Sequence, residues 1–171
     1  MWYKIVNIIV SIVGLKTFLK KYIISSEIIR DNGKKITVLT LNGPTLLKDG
    51  FPEFHLAGGL FATVGNTVLV LDCVKSNTTA NDFGFFMNHE IGHLVLGHVA
   101  KVVKAGASDT VLNVADEVAA DNYARRKGYN TPNFRNLLTV VYSELASAEV
   151  ISEDEILKCV EETLEGHASR M

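Results

Sequence analysis

Residues 89–98 read His89-Glu90-Ile91-Gly92-His93-Leu94-Val95-Leu96-Gly97-His98. The first five follow the pattern H-E-x-x-H. On an α-helix, residues four apart lie about one turn apart on the same face. His89 and His93 can therefore aim their imidazoles at one metal ion. Glu90 lies about 100° around the helix from His89, within reach of a water on that metal. Two neutral nitrogen ligands, an open coordination position and a carboxylate base are the parts needed for zinc-assisted hydrolysis. With five histidines in 171 residues, such a pentad arises by chance in roughly one chain in a hundred. The competing reading is a helix whose histidines are merely satisfied by hydrogen bonds. Burying two histidines and a glutamate together is costly, which weighs against it.

Catalytic zinc usually takes three protein ligands and a water. Downstream runs Asp116-Glu117-Val118-Ala119-Ala120-Asp121-Asn122-Tyr123-Ala124. Glu117 and Asp121 are four apart and share a helical face. Glu117 is the candidate third ligand. Asp121 is the candidate acceptor for the free N–H of a ligating histidine, fixing its tautomer. The alternative is a solvated acidic edge in which Glu117 pairs with Arg125.

Both segments carry helix signals. Phe85, Phe86 and Met87 precede the pentad, and Val95, Val99, Val102 and Val103 follow it. Asn81-Asp82 offers an N-cap and Gly106 a C-terminal stop. Ser108 or Asp109 can cap the second helix. Gly128 can end it after Arg125, Arg126 and Lys127, whose charges suit a helix C-terminus.

With these residues the chain resembles the gluzincins, in which glutamate is the third zinc ligand. His89-Glu90-x-x-His93, His98 five residues on, and Glu117-x-x-Ala120-Asp121 closely resemble the HtpX-type heat-shock proteases, the CAAX-prenyl proteases and the small soluble minigluzincins. The ImmA/IrrE-like group of mobile elements shares the pentad and a later glutamate-alanine motif. The resemblance covers about residues 50–130. It implies a zincin-like fold, one zinc per chain, and a peptide or protein substrate held as an added strand on a sheet edge. Two departures stand out. The membrane-embedded helices of the HtpX and CAAX enzymes have no counterpart, and the arginine often found before the last histidine is Gly97. His98 lies about 140° around an unbroken helix from His93. It cannot share the zinc unless the helix breaks, so it reads as structural or as a support for the ligands. The metzincin spacing fails.

The length suits a single domain with a proper core. The net charge is −2 and the pI near 6.2, so no nucleic-acid footprint is visible. Cys73 and Cys159 match no metal spacing and read as reduced thiols of a cytoplasmic protein. From Ile5 to Leu15 the sequence is strongly apolar, with Lys4, Asn7, Ser11 and Gly14 as a narrow polar stripe. An N-terminal apolar helix packed on the domain is expected within residues 1–30. The alternative is membrane association through residues 1–20, which Trp2 and Tyr3 would suit. The uninterrupted run is too short to span.

The expected architecture is α+β: a small, mainly antiparallel sheet of about three strands packed on a zinc-binding helix bundle. The sheet falls within residues 35–72. Lys35–Leu41 alternates and is β-branched, and Asn42-Gly43-Pro44 ends it. Gly59–Val64 and Thr67–Asp72 flank Gly65-Asn66, a two-residue hairpin turn. The resemblance implies that the strand around Gly58–Val64 or Thr67–Leu71 is a substrate platform; the alternative is that both strands are internal core. The helix pair spans 82–127. C-terminal helices follow over 131–166, one starting at Thr131-Pro132 and one at the capping box Ser152-x-x-Glu155.

The expected chemistry is hydrolysis of a peptide bond, with Glu90 as general base and zinc on His89, His93 and Glu117. Tyr123, Arg126, Tyr129, Arg135, Tyr142 and His55 are candidates for a second electrophile. The alternative is a regulatory or latent protein on the same scaffold, in the manner of the ImmA/IrrE-like group. No helix-turn-helix pattern accompanies it.

Overall fold

The computed structural model describes residues 17, 19–51, 61–99, 114–148, 152 and 154. The architecture is α+β. Strands β1 (Ile23–Asp31), β2 (Lys34–Leu41), β3 (Phe61–Val64) and β4 (Thr67–Leu71) form one sheet in the order β1-β2-β4-β3. The β1–β2 and β3–β4 pairs are antiparallel, and β2–β4 is parallel. Among the described residues it is accompanied by helices α1 (Gly43–Lys48), α2 (Asp72–Asn77), α3 (Ala80–Leu96), α4 (Val114–Arg126) and α5 (Phe134–Ser147).

Among the described residues the sheet has four strands rather than about three. The extra one, β1, begins at Ile23, inside the stretch expected to be an N-terminal helix. Its cause is local. Asn32 and Gly33 both take positive φ, 46° and 75°, the pair of values a tight hairpin turn requires. That turn folds Ile23–Asp31 back along β2. The expected apolar helix itself falls on residues that lie largely outside the described ones. Leu19 and Tyr22, just before β1, are buried in the core.

The two central strands are buried almost throughout. Ile36, Val38, Leu39 and Leu41 of β2 and Val68–Leu71 of β4 join Phe85, Phe86, Ile91 and Leu94 of α3 in one cluster. A continuous apolar run is what a strand covered on both faces requires. Each such side chain contributes about 1.5–3 kcal/mol when fully buried. Asn42-Gly43-Pro44 does end β2, but it also starts α1, because Asn42 Oδ1 accepts from Thr45 N. The Gly65-Asn66 hairpin closes as expected, pairing Val64 with Thr67.

Helix boundaries differ from expectation in three places. The N-cap of α3 is Thr79, whose side chain accepts from Asp82 N, not Asn81-Asp82. The helix stops at Gly97, which takes the left-handed conformation at φ 81°, well before Gly106. Lys34, at the β1–β2 turn, donates to Leu94 O and Val95 O, so a cation covers the last carbonyls. Helix α5 begins at Phe134 rather than at Thr131-Pro132. The helix expected after Ser152 lies outside the described residues, as do Gly106, Ser108 and Asp109. Helix α4 ends before Gly128 as expected, with Gly128 at φ 93°. No helix among the described residues is long and apolar enough to cross a membrane.

Candidate metal centre

Helices α3 and α4 pack against each other along a face of small residues. A β-carbon on Gly92 would stand 3.2 Å from the Ala120 Cα and 3.1 Å from the Tyr123 Cβ. A side chain here would need its neighbours to give by a few tenths of an ångström, so glycine eases the close approach of the two backbones. Gly92 stands between His89 and His93, and Ala120 between Glu117 and Asp121. The close approach therefore brings all four side chains to one place.

His89 Nε2 and His93 Nε2 are 3.0 Å apart. Glu117 Oε2 lies 3.4 Å from His89 Nε2, and Glu117 Oε1 lies 3.6 Å from His93 Nε2. Among the described residues these three side chains form a group able to hold a metal ion. Ligand atoms at zinc distances on a tetrahedron are separated by about 3.3 Å. The observed separations, of which the two to Glu117 run to different carboxylate oxygens, lie on either side of that value, and two imidazoles with a carboxylate are a donor set of the kind zinc takes.

Each histidine is held from behind. His89 Nδ1 lies 2.8 Å from Asp121 Oδ1. The other Asp121 oxygen lies 3.8 Å from Arg125. Among the described ion pairs, Arg125 thus stands with Asp121. His93 Nδ1 lies 3.0 Å from His98 Nδ1, and His98 Nε2 lies 3.3 Å from Asp116 Oδ1. The helix does break, at Gly97, yet His98 turns to the rear of His93 rather than to the ligand triangle. Asp116 was not singled out by the sequence, because its role depends on where His98 lands after that break.

Glu90 is half-buried, and its loss of solvent raises the carboxyl pKa. Thr63 Oγ1, on β3, donates to Glu90 Oε2. Thr63 carried no sequence signal, since only the packing of β3 on α3 brings the two together. Burial alone would lower the His89 pKa. Hydrogen bonds to Asp121 and Glu117 outweigh it and push the pKa up to about 10. Burial, with the neighbouring His89 charge, brings His93 down to about 4.

Two candidates for a second electrophile are engaged in packing. Tyr123 is buried beside the Asp31–Lys127 ion pair, and its ring faces Arg126 at 5.9 Å. Tyr129 packs so tightly on Gly84 that a β-carbon there would stand 2.0 Å from its ring. Arg135 is exposed. His55 and the Tyr142 side chain lie outside the described residues. Cys73 is free and buried, and burial pushes its thiol pKa upward. A cavity of about 610 Å³ opens elsewhere, lined by Leu47, Asn77, Val140 and Glu144 among others. It shares no residue with the ligand triangle. A metal ion held by three converging side chains needs no such cavity.

No protein-family model, curated protein or solved structure matches this chain.

Proposed function

We propose that the chain is a zinc-dependent metalloendopeptidase with a zincin-like arrangement of the gluzincin type, acting on extended peptide or protein segments. The observation that carries the reading is the convergence of His89, His93 and Glu117 with Glu90 on the next helical position. Bound zinc would supply the Lewis acidity that brings a water toward ionisation at neutral pH and steadies the oxyanion. Glu90 takes the proton of the attacking water and returns it to the leaving amine. Burial raises its pKa above the ordinary carboxylate value, the direction that favours a group that must both accept and give up a proton. Thr63 holds one Glu90 oxygen, leaving the other for the water.

The peptide lies along β3. Of the two candidate platforms, β4 is paired on both sides, by β2 and β3. Strand β3 pairs only with β4 among the described residues, and its Thr63 touches the base. An extended chain added to that edge gains main-chain hydrogen bonds independent of its sequence. The scissile bond then comes to rest beside Glu90.

The test is metal content of protein purified without added metal, followed by peptide cleavage. About one zinc per chain is expected, lost in His93→Ala and Glu117→Ala. Glu90→Gln should keep the zinc and lose turnover by at least a hundredfold. Wild-type turnover in Glu90→Gln, or a chain that takes up no zinc, overturns the proposal.

A further inference from the structure

His93 has two ring nitrogens, and both are committed. Nε2 faces His89 and Glu117, and Nδ1 faces His98 Nδ1 at 3.0 Å. A neutral imidazole carries its proton on one nitrogen only. If Nε2 is to offer a lone pair, Nδ1 must hold the proton and donate it. His98 Nδ1 is then an acceptor, so the proton of His98 sits on Nε2. That nitrogen lies 3.3 Å from Asp116 Oδ1, which as a carboxylate can only accept. One assignment satisfies every atom in the row.

The reverse assignment does not. With the His98 proton on Nδ1, His98 would donate to His93 and force the His93 proton onto Nε2, into the ligand triangle. His98 Nε2 would then turn a lone pair toward the carboxylate. His98 is only 4% exposed and His93 only 2%, so water offers little relief. Facing acceptors at such burial are expensive.

We propose that Asp116 and His98 form a relay that fixes the tautomer of His93, so that both are positioning residues of the metal centre. The inference rests on the metallopeptidase reading above. Asp116 acts at two removes: it orients His98, and His98 orients the ligand. Asp121 does the same for His89 in one step. Helix α4 thus carries one ligand, Glu117, and the support of the other two. The left-handed turn at Gly97 is what lets His98 reach back.

The experiment uses the full chain and zinc itself, titrated against a competing chelator, with each zinc-free variant first shown to melt cooperatively. His98→Leu should weaken zinc binding by about 10–100-fold. His98→Asn, whose side-chain oxygen falls near the place of Nδ1, should restore most of that loss. Asp116→Ala, at a less buried position, should lose up to about tenfold. Nitrogen NMR of the imidazoles in zinc-free wild type should find the His93 proton on Nδ1. A folded His98→Leu with wild-type zinc affinity overturns the relay. So does a His93 proton on Nε2, a readout that stands even if no His98 variant folds. Failure of the wild type to bind zinc would instead remove the metallopeptidase reading, and the tautomer would still decide the relay.

Discussion

Gly92 and Ala120 meet backbone to backbone, with 3.2 Å between the Ala120 Cα and the place a Gly92 β-carbon would occupy. This contact sets the spacing of α3 and α4, and with it the distance from Glu117 to the two histidines. A methyl at Gly92 gains about 1 kcal/mol of helix propensity, but meets backbone and a Tyr123 β-carbon that cannot rotate away. A branched side chain meets far more. Gly92→Val should destabilise the fold by about 1–3 kcal/mol through overpacking. It should also weaken zinc binding, since Glu117 rides on the displaced helix. Chelator competition and thermal melting together check this. Unchanged zinc affinity in Gly92→Val would mean that the contact does not set the ligand triangle.

Zinc binding should release a proton. In the metal-free fold His89 stays charged up to about pH 10 and His93 stays neutral down to about pH 4. Across that window the pair holds one proton where the metal would sit. Zinc must displace it, so affinity should rise about tenfold per pH unit through neutrality. Calorimetry in buffers of differing ionisation heat would count the proton. A count of zero at pH 7 would show that His89 is neutral before zinc arrives.

The same pair sets how the metal-free fold responds to pH. The raised His89 contributes stability that is full below its unfolded pKa of 6.5 and lost as pH rises through about 10. The depressed His93 acts oppositely: the unfolded chain takes up a proton that the fold refuses, so stability falls from pH 6.5 toward about 4. From this pair alone the maximum lies near pH 6.5. Denaturant midpoints of zinc-free protein, compared with those of His89→Gln, should show the alkaline limb flattening in the variant.

Thr63 joins the sheet edge to Glu90, the proposed general base. Thr63→Val keeps the shape and removes the donor. A hydrogen bond to a charged group contributes about 1.5–3 kcal/mol, so kcat should fall by roughly tenfold or more, with zinc content intact. KM should change little, because the main-chain edge of β3 is untouched. An unchanged kcat with a raised KM would make Thr63 a substrate contact instead.

The candidate metal ligands were legible because helical periodicity places residues four apart on one face without any knowledge of the fold. His89, His93, Glu117 and Asp121 all follow that rule. Strand β1 carries a weak sequence signal for a physical reason. Its isoleucines come in adjacent pairs, Ile23-Ile24 and Ile28-Ile29, and Ile24 and Ile28 are exposed. An edge strand of this kind shows no clean alternation, and only Asn32-Gly33 marked the turn. The parallel β2–β4 pairing was likewise hidden, since a turn signal specifies neighbours in sequence alone. Thr63 and Asp116 become meaningful only through tertiary placement: one through the packing of β3 on α3, the other through the break after Leu96.

Gly97 supplies that break, and its replacement should separate backbone strain from side-chain bulk. A β-carbon there meets nothing within 4 Å, but φ is 81°. Alanine would therefore suffer only the left-handed conformation, which costs about 1–2 kcal/mol. Asparagine visits that region more readily. The expected order of melting temperature is wild type, then Gly97→Asn, then Gly97→Ala, with alanine lower by about 2–8 °C. Zinc affinity should follow the same order, because relaxing the turn toward a continuous helix carries His98 away from His93. If Gly97→Ala were as stable as the wild type and bound zinc as tightly, the left-handed turn would have no part in holding His98.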